Sequence, residues 1–404
     1  MLLKETIRRI VISQKEDISS SEYGLERELL SGIDANTPYA IVLSGVRRCG
    51  KSTLLRQMMK KTKKYYYFNF EDPRAAGFEL NDFQRLEEVF REEYGAAEHY
   101  FFDEIQNVGR WELFVRSMLD KGKKFVITGS NASLLSRELG TRLTGRHLTY
   151  ELFPFSFTEF LGLKKEKPSA SVFWDYLKKG GFPEFLKYGK NESLQMLLSD
   201  IIARDIVVRH RIKDERKIKA MATYLLTNTG KEFSYNSLKK TFGIGSVNSA
   251  IAFVSYFEDS YLLFTLPKFD YSLKKQIVNP KKVYSVDNGL SSANSASFSD
   301  DNGRVLENSV FLHLRRQNRE IFYFREKSEC DFLVREKSKI TRAIQVCYGL
   351  NEDNKEREIK GLQEAMSKFN LNDGLILTYN QEDRIDLGRK EIKVLPAWKW
   401  MLEK

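Results

Sequence analysis

Along the first third of the chain, short apolar runs alternate with stretches whose apolar residues recur every three to four positions. "YAIVLSG" (39–45), "KYYYFNFED" (64–72), "EHYFFDEIQ" (98–106), "KKFVITGSN" (123–131) and "HLTYELFPF" (147–155) are rich in β-branched or aromatic residues. Charged or glycine-containing segments bound them, so they predict strands. Between them, "STLLRQMMKK", "NDFQRLEEVFREEYG" and "WELFVRSMLDKG" carry the spacing of amphipathic helices. Strands alternating with helices predict an α/β fold with a mostly parallel sheet covered on both faces.

The pattern then changes. The polar, proline-containing "LGLKKEKPSAS" (161–171) reads as a link, and "SVFWDYLKKGGFPEFLKYG" and "ESLQMLLSDIIARDIVVRHRIKD" read as helices. At 216–290, two helical patterns lead to "SVNSAIAFVSYFEDSYLLF" and then to an aromatic strand and basic turn in "PKFDYSLKKQIVNPKKVYSV". Helices followed by a basic hairpin outline a winged helix. The Ser/Asn-rich "SSANSASFSDDNG" (291–303) reads as a boundary. The tail reads helix, three strands ("EIFYFRE", "CDFLVRE", "RAIQVCYG"), helix, strand. The expected organisation is a nucleotide domain at 1–160, a helical linker or lid at 161–215, a winged-helix-like domain at 216–290 and an α/β domain at 291–404.

The candidate chemistry begins at "GVRRCGKST", residues 45–53, between the strand "AIVLS" and an amphipathic helix. Gly45, Val46, Arg47, Arg48, Cys49, Gly50, Lys51, Ser52 and Thr53 form a loop whose backbone N–H groups can cradle phosphates at the positive end of a helix. Glycine is needed where a side chain would block the phosphate. Lys51 can reach the β- and γ-oxygens of ATP, and the Ser52 hydroxyl can ligate Mg²⁺. Arg47 and Arg48 either help hold the triphosphate, contact a neighbouring segment or lie in solvent. Cys49 in such a loop needs a reducing compartment. Hydrolysis also needs acids at the end of a hydrophobic strand. In "HYFFDEIQ", Asp103 is the candidate Mg²⁺ partner and Glu104 the candidate base for the attacking water. Ser130 or Asn131, after "VITG", is placed to sense the γ-phosphate, with Asn131 taken as catalytic. Arg142 and Arg146 in "GTRLTGRHL" are candidate arginine fingers, in cis or from a neighbour, with solvated surface arginines the plain alternative.

Composition narrows the class. Of 404 residues, 42% are hydrophobic and 30% charged, as in globular proteins. "AIVL" and "FVI" are far shorter than the roughly 18 apolar residues of a membrane helix, and the charged start has no signal-peptide core. A cytoplasmic protein without membrane partners is expected. Cys49, Cys330 and Cys347 lack CxxC spacing, and His99, His147, His210 and His313 are scattered, which argues against a disulfide framework and a zinc site. The net charge of +11 favours an acidic partner such as nucleic acid, or else is a basic surface with no polymer ligand.

"GVRRCGKSTLL", "FFDEIQ", "TGSN" and "LTGRHLTYELFPFSFTEF" together resemble the bacterial and archaeal AAA-like P-loop ATPases that carry a C-terminal domain of unknown function. The likeness runs in order across nearly the whole chain. It implies an additional-strand P-loop NTPase sheet, with a sensor strand between the phosphate-loop strand and the acidic strand. It also implies ATP over GTP, a winged-helix middle and a restriction-endonuclease-like tail. In the tail, Glu307 and Asp331 would be the acids of a nuclease site, but the Glu-x-Lys expected next is Gln345, Val346 and Cys347. An amide cannot replace a carboxylate on a hard cation, so no phosphodiester cleavage is expected. For DNA, the expected elements are the helix "SVNSAIAFVSYFEDS" and the turn "YSLKK", with Lys274, Lys275, Lys281 and Lys282 on phosphates. Ile251, Ala252, Phe253, Tyr256 and Phe257 of that helix read mostly as core, and many winged helices bind only protein. The leading expectation is a slow ATPase whose nucleotide state moves the later modules, possible homo-oligomers included. The alternative is a nucleotide-gated DNA- or protein-binding switch with negligible turnover.

Overall fold

A computed structural model describes residues 1–20, 22–129, 145–296, 301–317 and 319–403. The chain divides into two compact units, 1–152 and 153–404.

The first unit is built on five parallel strands, β1 (Ala40–Ser44), β2 (Tyr65–Asn69), β3 (His99–Asp103), β4 (Lys124–Gly129) and β5 (His147–Glu151), in the order β2-β3-β4-β1-β5. β1 is buried along its whole length, as near-continuous apolar runs in a parallel sheet should be. β4 lies between β1 and β3, so the phosphate-loop strand and the acidic strand are separated by one strand. Because all five run the same way, Ser44, Asp103 and Gly129 finish on one edge, where ligands of open α/β sheets bind. Helices Lys51–Lys60, Asp82–Tyr94 and Trp111–Asp120 follow the expected spacing. A further helix, Lys4–Ser20, was not expected. It buries Ile7, Ile10, Val11, Gln14 and Ile18. The apolar core beneath is aromatic, with Phe83 stacked on Phe114 at 4.5 Å and Tyr100 on Phe125 at 4.8 Å.

In the second unit, "SVFWDYLKKGGFPEFLKYG" forms two helices, Ala170–Lys179 and Pro183–Tyr188, because Gly180-Gly181 interrupts the pattern. Helix Asn191–Asp200 runs on into a π-helical stretch, Ile201–Val208. Three helices, Glu215–Thr227, Tyr235–Thr241 and Val247–Asp259, accompany a three-stranded antiparallel sheet of β6 (Glu232–Phe233), β7 (Leu263–Pro267) and β8 (Lys281–Ser285), in the order β6-β8-β7. The connection between β7 and β8 contains a short helix, Leu273–Val278, where a plain turn was expected. The Ser/Asn-rich stretch lies within the second compact unit. It begins inside helix Asn288–Asn294.

The tail contains the helix Asn302–Arg316, the strands β9 (Glu320–Arg325), β10 (Glu329–Glu336) and β11 (Lys339–Val346), and the helix Lys355–Lys368. Three strands follow, β12 (Asp373–Thr378), β13 (Asp383–Asp386) and β14 (Glu391–Pro396), where one was expected. They complete a mixed six-stranded sheet, β13-β14-β12-β11-β10-β9.

Candidate functional site

The loop from Gly45 to Gly50 leaves β1 and enters the helix Lys51–Lys60. Gly45 has φ 149°, and a Cβ there would lie 2.0 Å from the Leu152 carbonyl oxygen. Gly50 has φ 104° and stands at the helix N-cap. Only glycine takes both positions without strain. Arg48 also has a positive φ, 64°, which costs a non-glycine residue on the order of 1 kcal/mol and marks a loop held in shape by its surroundings. Lys51 is 4% exposed, and its Nζ donates to the Gly45 and Val46 carbonyl oxygens at 3.0 and 3.1 Å. The cradle is thus a concave backbone loop with an ammonium resting on its rim. The Cys49 thiol in this loop is fully buried, which pushes its pKa up.

Asp103 ends β3, buried, and accepts hydrogen bonds from the Thr128 and Ser52 hydroxyls. Burial raises its pKa, and those hydroxyls and the Lys51 charge pull it back. Ser52 and Asp103 are therefore together, as a shared Mg²⁺ site requires. They line a cleft of about 560 Å³ with Arg56, Tyr67, Glu71 and Asp72. A hydroxyl beside a carboxylate is an all-oxygen donor set that suits Mg²⁺. Glu104 is left-handed, φ 52° and ψ 43°, and accepts a hydrogen bond from the Gln106 amide. Burial raises its pKa while Lys51 lowers it. Thr128 ties the pair together, because its oxygen also accepts from the Glu104 N–H at 3.0 Å. Sequence reasoning missed Thr128. Its only signal was a hydroxyl in the apolar run "FVIT".

The arginines divide. Arg47 Nη1 donates to Glu71 Oε1 at 3.4 Å, so it contacts the segment after β2, while Arg48 is exposed. Arg146 is exposed and ion-paired to Asp120. It precedes His147, which pairs with Ala40 at the start of β1. That is the edge opposite the cradle, four residues or roughly 13 Å of strand away. The fold does not bring Arg146 to the phosphate loop of its own chain. Ser130, Asn131 and Arg142 lie outside the described residues.

In the second unit the fold does bring Glu307 and Asp331 together, around a lysine expected on DNA. Lys282 is 3% exposed, and its Nζ lies 3.0 Å from Glu307, 2.9 Å from Asp331 and 2.7 Å from Glu329. It is not available to a DNA phosphate. The Tyr284 hydroxyl donates to Glu307 at 2.6 Å. Gln345 accepts from the Asp331 N–H and donates to Glu358 at 2.7 Å, and the Val346 N–H donates to Asp331 at 2.9 Å. Cys347 is buried, its pKa pushed up to about 12. Burial raises Glu307 to about 7, against the pull of Lys282. Among the described residues, no group of three or more His, Cys, Asp or Glu is arranged so that it could hold a metal ion.

Of the remaining basic candidates, Lys281 is half-buried and donates to the Gln276 and Ile277 carbonyls at 3.1 Å, capping the short helix. Lys274 and Lys275 are exposed beside it. On helix Val247–Asp259 the buried stripe is Ala250, Val254 and Phe257, whereas Ile251 is exposed and Ala252, Phe253 and Tyr256 are half-buried. No described helix is long and apolar enough to cross a membrane.

Comparison with known proteins marks three segments of the chain. Residues 37–161 match an AAA domain, and residues 171–301 and 302–400 match two domains of unknown function, DUF8612 and DUF4143. The uncharacterized protein MJ1544 of Methanocaldococcus jannaschii is 38% identical over 393 residues, covering 89% of this chain and 88% of its own. An uncharacterized protein of Haemophilus influenzae is 28% identical over 349 residues, covering 80% and 86%. Among solved structures, AMPPCP-bound DnaA from Aquifex aeolicus aligns with 15% identity and a TM-score of 0.29, covering 62% of this chain and 88% of its own. A similarity that low says nothing about the ligand of this chain.

Proposed function

Because the chain belongs to the same family as that archaeal protein and carries an AAA domain over residues 37–161, we propose that it is a P-loop ATPase that binds ATP with Mg²⁺ and hydrolyses it slowly. One observation carries this reading: an ammonium, Lys51, parked on two main-chain carbonyls of a glycine-hinged loop, next to a Ser52–Asp103 pair. Lys51 would leave those carbonyls for the β- and γ-phosphate oxygens, exchanging neutral acceptors for charged ones. Ser52 and Asp103 would hold Mg²⁺, whose charge screens the phosphates when bound. Glu104 would accept the proton of the attacking water, and Thr128 fixes its backbone relative to Asp103.

The Glu104 carboxylate is held by the Gln106 amide, so the base must be released from that bond before it works. That favours slow turnover and keeps the nucleotide-gated switch as the second reading. The three helices and antiparallel sheet at 215–285 support the winged-helix reading, with Lys274 and Lys275 the phosphate contacts left for DNA. The helix-and-mixed-sheet tail supports the nuclease-like reading, and Lys282 among its acids, with Gln345 beside them, supports a fold without cleavage. Arg146 would act only on the nucleotide of another copy, which light scattering with and without a slowly hydrolysed ATP analogue would test.

Lys51→Ala is expected to abolish ATP binding, measured by calorimetry, whereas Glu104→Gln retains binding and loses hydrolysis by about 10²- to 10⁴-fold. Wild-type turnover in both variants would refute the assignment of roles.

A further inference from the structure

The segment before β1 is stitched to the phosphate loop from below. Gln57, in the helix that follows the loop, donates to the Tyr23 and Leu25 carbonyls at 2.8 and 2.7 Å and accepts from the Arg27 N–H at 3.2 Å. That anchors the backbone on which Arg27 stands. The Arg27 side chain is buried, with the residue 4% exposed, and its Nη1 donates to the Cys49 carbonyl at 2.8 Å. A Cβ on Gly50 would lie 3.1 Å from the same Nη1, so the guanidinium sits directly against the 49–50 peptide.

We propose that Arg27 is a positioning residue for the nucleotide's β-phosphate, acting through the Cys49–Gly50 peptide. A trans peptide is planar, with its C=O and N–H pointing in opposite directions. Holding the Cys49 oxygen down toward Arg27 turns the Gly50 N–H up, away from the guanidinium and toward the cradle. Loops of this kind lose anion affinity when one peptide flips, because a carbonyl then faces the phosphate in place of a donor. Gly50, at φ 104°, has no side chain to resist such a flip. The buried cation supplies the resistance, and its charge adds to the field of the helix N-terminus. This inference rests on the ATPase reading above and adds a residue eighteen positions upstream of Gly45 that no phosphate-loop pattern includes.

The test uses the full-length chain and ADP, followed by calorimetry and by ³¹P NMR of the bound nucleotide. Arg27→Met should weaken ADP binding about tenfold to a hundredfold, the range for a hydrogen bond from a charged group. Arg27→Lys, which keeps a cation able to donate to Cys49, should restore affinity to within about threefold of wild type. In Arg27→Lys the β-phosphorus resonance should still move while the α-phosphorus stays, which a general loosening of the fold would not produce. Should Arg27→Met fail to fold, Arg27→Lys carries the test alone through that selective shift. Equal ADP affinity in wild type and Arg27→Met, or equal displacement of both resonances in Arg27→Lys, overturns the proposal and leaves the ATPase reading standing. A wild-type chain that binds neither ADP nor ATP overturns both.

Discussion

Among the described residues, each compact unit buries one lysine beside carboxylates, but the two are held in opposite ways. Lys51 rests on two neutral main-chain carbonyls, while Asp103 and Glu104 are engaged by Thr128, Ser52 and Gln106. Lys282 meets the carboxylates of Glu307, Glu329 and Asp331 directly. A phosphate oxygen can outcompete a neutral carbonyl for an ammonium, because a charge-assisted hydrogen bond is roughly twice as strong. Nothing comparable displaces three carboxylates at once, and removing the ammonium would leave buried negative charge uncompensated. The first arrangement is ready for exchange. The second is closed on itself. A buried charge resting on neutral groups is thus a better pointer to a ligand site than a buried ion pair, although the pair is more conspicuous.

The sharpest way to break the comparison is to replace each lysine with methionine. Lys282→Met should cost the second unit about 3 to 5 kcal/mol, the range for an orphaned buried charge, read from urea unfolding. Lys51→Met should leave unfolding nearly unchanged yet lower ATP affinity by at least about a hundredfold, the loss of two or more charge-assisted bonds. Equal destabilisation by the two substitutions would show that both lysines are structural. Next in size, Thr128→Val should reduce turnover by about tenfold with ATP affinity preserved, since it removes one hydrogen bond to Asp103 and one to the Glu104 backbone.

The acids should also differ in their pH response. Glu307 is an acid raised to about 7, so the folded protein keeps a proton that the unfolded chain releases from its ordinary value of 4.5 upward. Its stabilising contribution is complete below that ordinary value and disappears as the pH climbs to about 7. Urea midpoints of the second unit should therefore fall across this window, and fall less in Glu307→Gln. Glu104, raised in the same direction, should instead show itself in catalysis, as an acid limb of turnover lying above the ordinary carboxylate range. The smallest effect concerns DNA. Replacing Lys274 and Lys275 by alanine should flatten the dependence of log K on log salt by about 0.9 for each phosphate no longer neutralised, whereas Lys281→Ala should not. A slope unchanged by the double replacement would remove DNA from the proposed partners.

Much of the first unit was legible because its signals are local. The strand, glycine loop and helix around residues 40–60 are contiguous, and Asp103-Glu104 closes its own apolar run. What escaped was assembled from distant segments. The helix Lys4–Ser20 scatters its apolar stripe among so many charges that the stripe is hard to see in the sequence. Arg27 and Gln57 look like surface residues until the chain folds them under the loop. In the tail, Glu307 and Asp331 are recognisable as a pair, but Lys282 comes from a strand 49 residues before Asp331 and resembles a phosphate ligand in its own stretch of sequence. Basic residues in a turn read as exposed unless the acids they meet are known, and sequence spacing does not show those acids.

The burial of all three cysteines has a practical consequence. Cys49, Cys330 and Cys347 are each 7% exposed or less, and burial drives every one of their thiols toward the protonated, unreactive form. The native chain should therefore ignore maleimide dyes, and a single new cysteine on an outward helix face would take a fluorophore alone. Cys49 would become an exception whenever the glycine loop opened, so its rate of alkylation is a clock for that opening, already installed beneath the cradle.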